Sequence, residues 1–275
     1  MRPISLHHLS MLDAHPFELI TAAKAGGFTH CGVRLVSPEP TGTVFDLVHN
    51  PRALAEAKQR MEDSGIAMLD AEAIWLRPDT VVADFRAAIE AAAVLGARYF
   101  LTVGADEDRS RLLARLGELA ALCKDAGIVV ALEPIAYSAV TNLHVAADLL
   151  AEMAGTFVAL LPDSLQFFRS GLQPADLAEL PPARVLYAQI SDAPLLAPGR
   201  VSEMRHEARE DRQVPGEGQL PLIAFVRALP RSAPLAVEVP NVRLRRLSHD
   251  DAARVLGVAV SNLLTEADGQ ANEPG

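Results

Sequence analysis

Along the whole chain, short apolar runs of β type alternate with longer Ala- and Leu-rich stretches of helical period. Four of those helical stretches stop on a glycine just before the next apolar run. Pro16–Ala25 stops at Gly26-Gly27, Pro51–Ser64 at Gly65, Val81–Leu95 at Gly96, and Glu107–Ala126 at Gly127. Glycine accepts the left-handed backbone that ends a helix, and Pro16 suits a first helical turn. Strands are predicted at Ile4–Leu9, Cys31–Val36, Ala67–Ile74, Tyr99–Val103, Ile128–Leu132, Phe157–Leu161, Val185–Ile190 and Leu235–Val239. Strands connected through helices run parallel, since an antiparallel pair needs only a tight turn.

About eight such couplets in 275 residues favour a single closed (β/α)8 TIM barrel over an open doubly wound sheet. No Gly-x-Gly-x-x-Gly or Gly-x-x-x-x-Gly-Lys sequence follows the first strand, so the dinucleotide and P-loop readings lose their main support. The barrel domain is expected over 1–265, with 266–275 a disordered polar tail. One stretch breaks the rhythm. Leu196–Gln219 is polar, carries Arg200, Arg205, Arg209 and Arg212, and reads as a loop much longer than an ordinary βα connection.

Composition narrows the function classes. Lys plus Arg is 25 against 35 Asp plus Glu, a formal charge of −10, and no basic run is long enough to track a phosphate backbone. A nucleic-acid partner is therefore not expected. No apolar run reaches the roughly eighteen residues of a membrane span, and MRPISLHHLS lacks a secretory pattern, so no membrane partner and a cytoplasmic location are expected. Cys31 and Cys123 lie in apolar segments without CxxC spacing, which fits buried thiols in a reducing compartment. Lysine occurs only at 24, 58 and 124, which sets lysine chemistry aside.

In a TIM barrel, chemistry gathers where strands finish, so the side chains at those ends decide the reading. Glu133 closes VVALE, Asp163 closes VALLPD, Gln189 lies in VLYAQISD, and Glu238 lies in LAVEVP. A carboxylate at the mouth of a core strand is costly unless a cation or donor satisfies it. Three acids and an amide at four successive strand ends could converge on one divalent ion, an oxygen set suited to Mn²⁺ or Mg²⁺. The competing reading is that they pair with arginines or cap the following helices.

Together with Pro134, the segment Gln189-Ile190-Ser191-Asp192 and the loop Asp211-Arg212-Gln213-Val214-Pro215-Gly216-Glu217-Gly218, these residues resemble the xylose isomerase-like TIM-barrel family. The similarity runs from Ile4 to about Leu264. It implies one divalent metal, Mn²⁺ or Mg²⁺ first and Co²⁺ or Zn²⁺ also admissible, held by Glu133, Asp163, Gln189 and Glu238. It further implies that Glu133 and Glu238 act as an acid/base pair on a carbohydrate substrate, by proton transfer beside a carbonyl through an enediolate. Gln189 replaces the family's usual His, and Gln166 stands where the family often has a substrate-binding His. Arg212 resembles a family arginine that reaches substrate oxygens, with an ion pair to Asp211 or Glu217 as the alternative. Barrels of this family commonly form homodimers or homotetramers.

His7 on the first strand, Arg34 ending the second, Glu72 ending the third, and Trp75 are further candidates for the substrate-binding wall. Arg34 and Glu72 would equally make a structural ion pair, and Trp75 equally packs a core. His206, Arg205 and Arg209 could form a lid over the pocket. Pro215-Gly216-Glu217-Gly218 is expected to be a shaping turn. Two other functions stay open, a metal-dependent dehydratase of a cyclitol ketone and a degenerate sugar-binding barrel, whereas an endonuclease IV-type nuclease is opposed by the acidic balance. The last lacks the His-rich ligand set it needs.

Overall fold

Gly65 and Gly96 sit at φ of 72° and 82°, the left-handed backbone that turns each preceding helix into the next strand. The computed structural model describes residues 2–39, 42, 44–153 and 155–269. Its strands are β1 (Ile4–Leu6), β2 (His30–Arg34), β3 (Ala67–Leu76), β4 (Tyr99–Gly104), β5 (Val129–Glu133), β6 (Val158–Leu160), β7 (Ala188–Ile190) and β8 (Leu235–Val237). All pair in parallel, in the order β6-β5-β4-β3-β2-β1-β8-β7. Single parallel bridges, Leu160 with Val185 and Asp163 with Gln189, cross the remaining gap between β6 and β7. The Gln189 N–H donates to the Pro162 carbonyl at 3.0 Å across the same seam, so the ring closes as the glycine rhythm predicts.

Ten α-helices are described: α1 (Pro16–Ala25), α2 (Pro51–Ser64), α3 (Arg86–Leu95), α4 (Arg109–Asp125), α5 (Leu143–Glu152), α6 (Ser164–Arg169), α7 (Pro174–Ala178), α8 (Val201–Glu210), α9 (Leu222–Ala228) and α10 (His249–Gly269). The stretch expected as one helix from Val81 divides into a 3-10 turn, Val82–Phe85, and α3. Two expectations are corrected. The long loop Leu196–Gln219 contains α8, a ten-residue helix whose first turn is closed by Glu203, its carboxylate accepting the Arg200 N–H at 3.2 Å. The barrel domain does not end at 265, because α10 continues through Gly269 and buries Ala267; residues 270–275 of the expected tail lie outside the described residues.

Alternation along the strands builds two cores. Phe100, Val130 and Leu132 face the helical layer, while Leu101, Val103, Ala131, Tyr187 and Ala236 belong to a separate cluster within the ring. Tyr99 and Tyr187 stack there with centroids 4.6 Å apart. Both cysteines are free and buried. Among the described residues no helix is long and apolar enough to cross a membrane.

Candidate active site

Glu133 is the last residue of β5, in register with Val103 of β4, and is 5 % exposed. Burial first, then the charges of Glu238 and Asp163, raises its pKa well above the ordinary carboxylate range. Asp163 follows β6 and caps α6: its Oδ1 accepts the Gln166 N–H at 2.9 Å. Glu238 follows β8. Burial pushes its pKa up to about 7, against the pull of Arg212 in the opposite direction.

Arg212 is the cation of this site. It is 2 % exposed; Nη1 donates to Asp163 Oδ2 at 2.6 Å, Nη2 to Glu238 Oε1 at 3.1 Å, and Nε to the Ala208 carbonyl at 2.9 Å. Burial opposes its charge, but Asp163 and Glu238 more than offset that and hold its pKa above the usual value. Of the expected alternative partners, Glu217 pairs with Arg243, and Asp211 makes no ion pair with Arg212 among the described residues. The loop that delivers Arg212 is fixed by Asp192. Its carboxylate accepts the N–H groups of Ala193 at 2.9 Å and of Gly216, Gly218 and Leu220 at 3.0 Å. A Cβ at Gly218 would collide with that carboxylate, so Pro215-Gly216-Glu217-Gly218 is the shaping turn expected.

Gln189 is fully buried on β7, with its Nε2 3.1 Å from His7 Nε2 and its Oε1 without a partner among the described residues. Glu238 Oε2 is likewise buried and unpartnered among them. Those two orphaned oxygens are what an ion held by Glu133, Asp163, Gln189 and Glu238 would use. The rest of the set does not fit it. Among the described residues Glu133, Asp163 and Glu238 do not bring ligand atoms within 4.8 Å of one another, and the Arg212 guanidinium instead donates to one oxygen each of Asp163 and Glu238. Among the described residues, the group of three acidic or imidazole side chains whose ligand atoms lie within 4.8 Å of one another is His7, Asp70 and Glu72.

One cavity of about 270 Å³ collects the site. Glu133, Glu238 and all six residues expected at the substrate wall, His7, Arg34, Glu72, Trp75, Gln166 and Arg212, line it. Asp163 and Gln189 lie beneath that lining at 1 % and 0 % exposure. Arg34 is both wall and ion pair, its Nε and Nη2 donating to Glu72 Oε2 at 3.2 and 3.1 Å. Gln166 is buried, its Oε1 accepting the Ala136 N–H at 3.4 Å. At the mouth, Arg209 pairs with Glu39 at 2.6 Å, and the Arg205 guanidinium sits 5.3 Å from the Tyr137 ring centre. His206 does not join them; it lines a separate depression with Pro198 and Glu203. A larger apolar groove of about 970 Å³ beside α9 and α10 includes none of the residues expected at the site.

Sequence reasoning passed over Asp70 and Tyr137. Asp70 had a signal, since it stands two residues before Glu72 on a strand; Tyr137, in the loop after β5, had none.

A family model described as a xylose isomerase-like TIM barrel matches residues 20–258. Among curated proteins none matches significantly. Several solved structures match over nearly their whole length. The IolI protein, whose crystal structure carries a zinc atom, is 17 % identical at a TM-score of 0.80, covering 96 % of this chain and 99 % of its own. The probable 3-DHS dehydratase AsbF of Bacillus anthracis is 13 % identical at 0.71, covering 95 % and 99 %. A D-psicose 3-epimerase crystallised with D-fructose is 12 % identical at 0.67, covering 97 % and 98 %. At these identities the structures establish the shared fold, and the family model, spanning most of the chain, establishes that it belongs to the xylose isomerase-like TIM-barrel family.

Proposed function

We propose that the chain is a sugar isomerase or epimerase of this family that moves a proton beside the carbonyl of a small polyhydroxylated substrate. The observation that carries this reading is a pair of buried carboxyl groups, Glu133 and Glu238, both pushed above the ordinary carboxylate range by burial, on one cavity with a buried arginine. Glu238, poised near neutrality, takes the proton from the carbon next to the carbonyl. The electron pair left behind becomes an enediolate, whose oxygen is stabilised by the Arg212 fork. Glu133, held neutral by burial, supplies a proton to the opposite face. Arg209 with Glu39, and Arg205 over Tyr137, narrow the mouth and limit water at the enediolate. A cavity of about 270 Å³ lies near the lower end of ligand pockets and suits a small sugar.

Elimination is the second reading, favoured by the same neutral Glu133, which could instead protonate a departing hydroxyl. The test is incubation of the protein with a panel of ketoses and a cyclitol ketone in D₂O, followed by NMR. Deuterium at the carbon next to the carbonyl, with an epimer or isomer formed, is the expected result. A dehydrated diketone would select the second reading, and no exchange into any member would reject both.

A further inference from the structure

We propose that His7, Asp70, Glu72 and Gln189 form a binding site for one zinc-class divalent ion on the β1/β3 side of the barrel floor. This site is distinct from the position expected between Glu133, Asp163, Gln189 and Glu238. The inference goes beyond the acid/base reading and does not depend on it.

His7 Nδ1 lies 3.8 Å from Glu238 Oε2, an unpartnered carboxylate oxygen that can accept an Nδ1 hydrogen, and that tautomer leaves the Nε2 lone pair facing the cluster. Around Nε2 stand Glu72 Oε1 at 3.1 Å, Asp70 Oδ2 at 3.7 Å and the Gln189 amide at 3.1 Å. A proton on Nε2 can serve one of these groups; an ion serves all of them. Ligand atoms about 2.1 Å from a tetrahedral ion lie about 3.4 Å apart, and the two carboxylate distances bracket that spacing.

Asp70 is an independent observation that points to a cation. It is 0 % exposed and its oxygens make no hydrogen bond of good geometry among the described residues; its polar neighbour, the buried Tyr187 hydroxyl, is unpartnered as well. A buried carboxylate left so is expensive. Gln189 Oε1 is orphaned in the same way, and turning the amide over brings that oxygen to the position facing His7.

The surroundings are built to hold the ligands. Arg34 donates twice to Glu72 Oε2, and the His8 N–H donates to Glu72 Oε1 at 2.9 Å. On the neighbouring strand, a Cβ at Gly32 would lie 2.8 Å from Asp70 Oδ1, so glycine leaves room for the carboxylate. Two carboxylates balance the ion's charge, and a donor set of one imidazole with oxygens suits Zn²⁺ or Co²⁺ better than Mg²⁺. Arg212 then supplies the positive charge between Asp163 and Glu238, where the expected ion would have stood.

The test uses the full chain, stripped with a chelator, loaded with ZnCl₂ and passed through gel filtration. Zinc content and zinc-edge X-ray absorption are then measured. We expect one retained zinc per chain with an imidazole nitrogen in its shell, and a loss of affinity of tenfold or more in Asp70→Asn, with no such loss in Asp163→Asn. The Glu133, Asp163, Gln189 and Glu238 set contains no nitrogen ligand, so an all-oxygen shell would overturn the proposal. So would no retained zinc, or an imidazole-bound zinc that persists in Asp70→Asn. If Asp70→Asn does not fold, His7→Gln takes its place with the same expected loss.

Discussion

Arg212 Nη1 donates to Asp163 Oδ2 at 2.6 Å with both groups buried, tying the loop after β7 to the end of β6. The same guanidinium reaches Glu238 beyond β8, so one cation neutralises two strand-end acids. Replacing Arg212 with leucine strands both carboxylates. The expected cost is about 3–5 kcal/mol in urea unfolding, because breaking a buried pair leaves uncompensated charge. A cost under about 1 kcal/mol would show that the pair contributes little.

Glu238 gives a signed pH dependence. Its pKa in the fold, about 7, lies above its ordinary value of 4.5, so between those pH values the folded state keeps a proton that the unfolded state has lost. Glu238 therefore lowers stability progressively as pH rises from 4.5 to 7. Glu238→Gln should gain stability relative to the parent at pH 8 and not at pH 4, read by chemical denaturation. For turnover the base must be ionised, so kcat/KM should rise through an apparent pKa near 7.

His8 works in the opposite sense. Its Nδ1 accepts the Arg34 N–H at 2.9 Å and its Nε2 lies 3.0 Å from the Ala14 carbonyl, an arrangement that needs the neutral ring. Burial lowers its pKa to about 4 from 6.5. Its contribution is complete above pH 6.5 and is lost as pH falls toward 4. An NMR titration should find the His8 ring neutral at pH 5.5; a midpoint near 6.5 would refute this.

Asp192 holds the turn that carries Arg212 by accepting four backbone N–H groups. Asp192→Ala should cost about 2–3 kcal/mol, since buried donors lose their acceptor. Turnover should fall with it as Arg212 loses its fixed position. Unchanged turnover in a folded variant would separate the turn from the site.

The barrel was legible because its signals are local: a glycine after a helix and an apolar run behind it need no knowledge of distant residues. Helix α8 was not, because VSEMRHEARE is polar on almost every face and buries only Glu207 and Ala208. The convergence of candidate residues was readable because strand ends in a barrel share one rim, and Glu133, Glu238, Arg212, Gln166, His7, Arg34, Glu72 and Trp75 line one cavity. What those residues bond to was not readable. Arg212 meets partners 49 and 26 positions away, and a polar residue in mid-strand, such as Asp70, gives no hint of which neighbour it faces.

The two-sided proton transfer by Glu133 and Glu238 is tested most directly by following exchange and inversion separately in Glu133→Gln. With an accepted substrate in D₂O, this variant should still incorporate deuterium on the face served by Glu238, while formation of the epimer falls by about 10²–10⁴-fold. Epimer formation at the parent rate in Glu133→Gln would contradict the assignment of the two carboxyl groups to opposite faces.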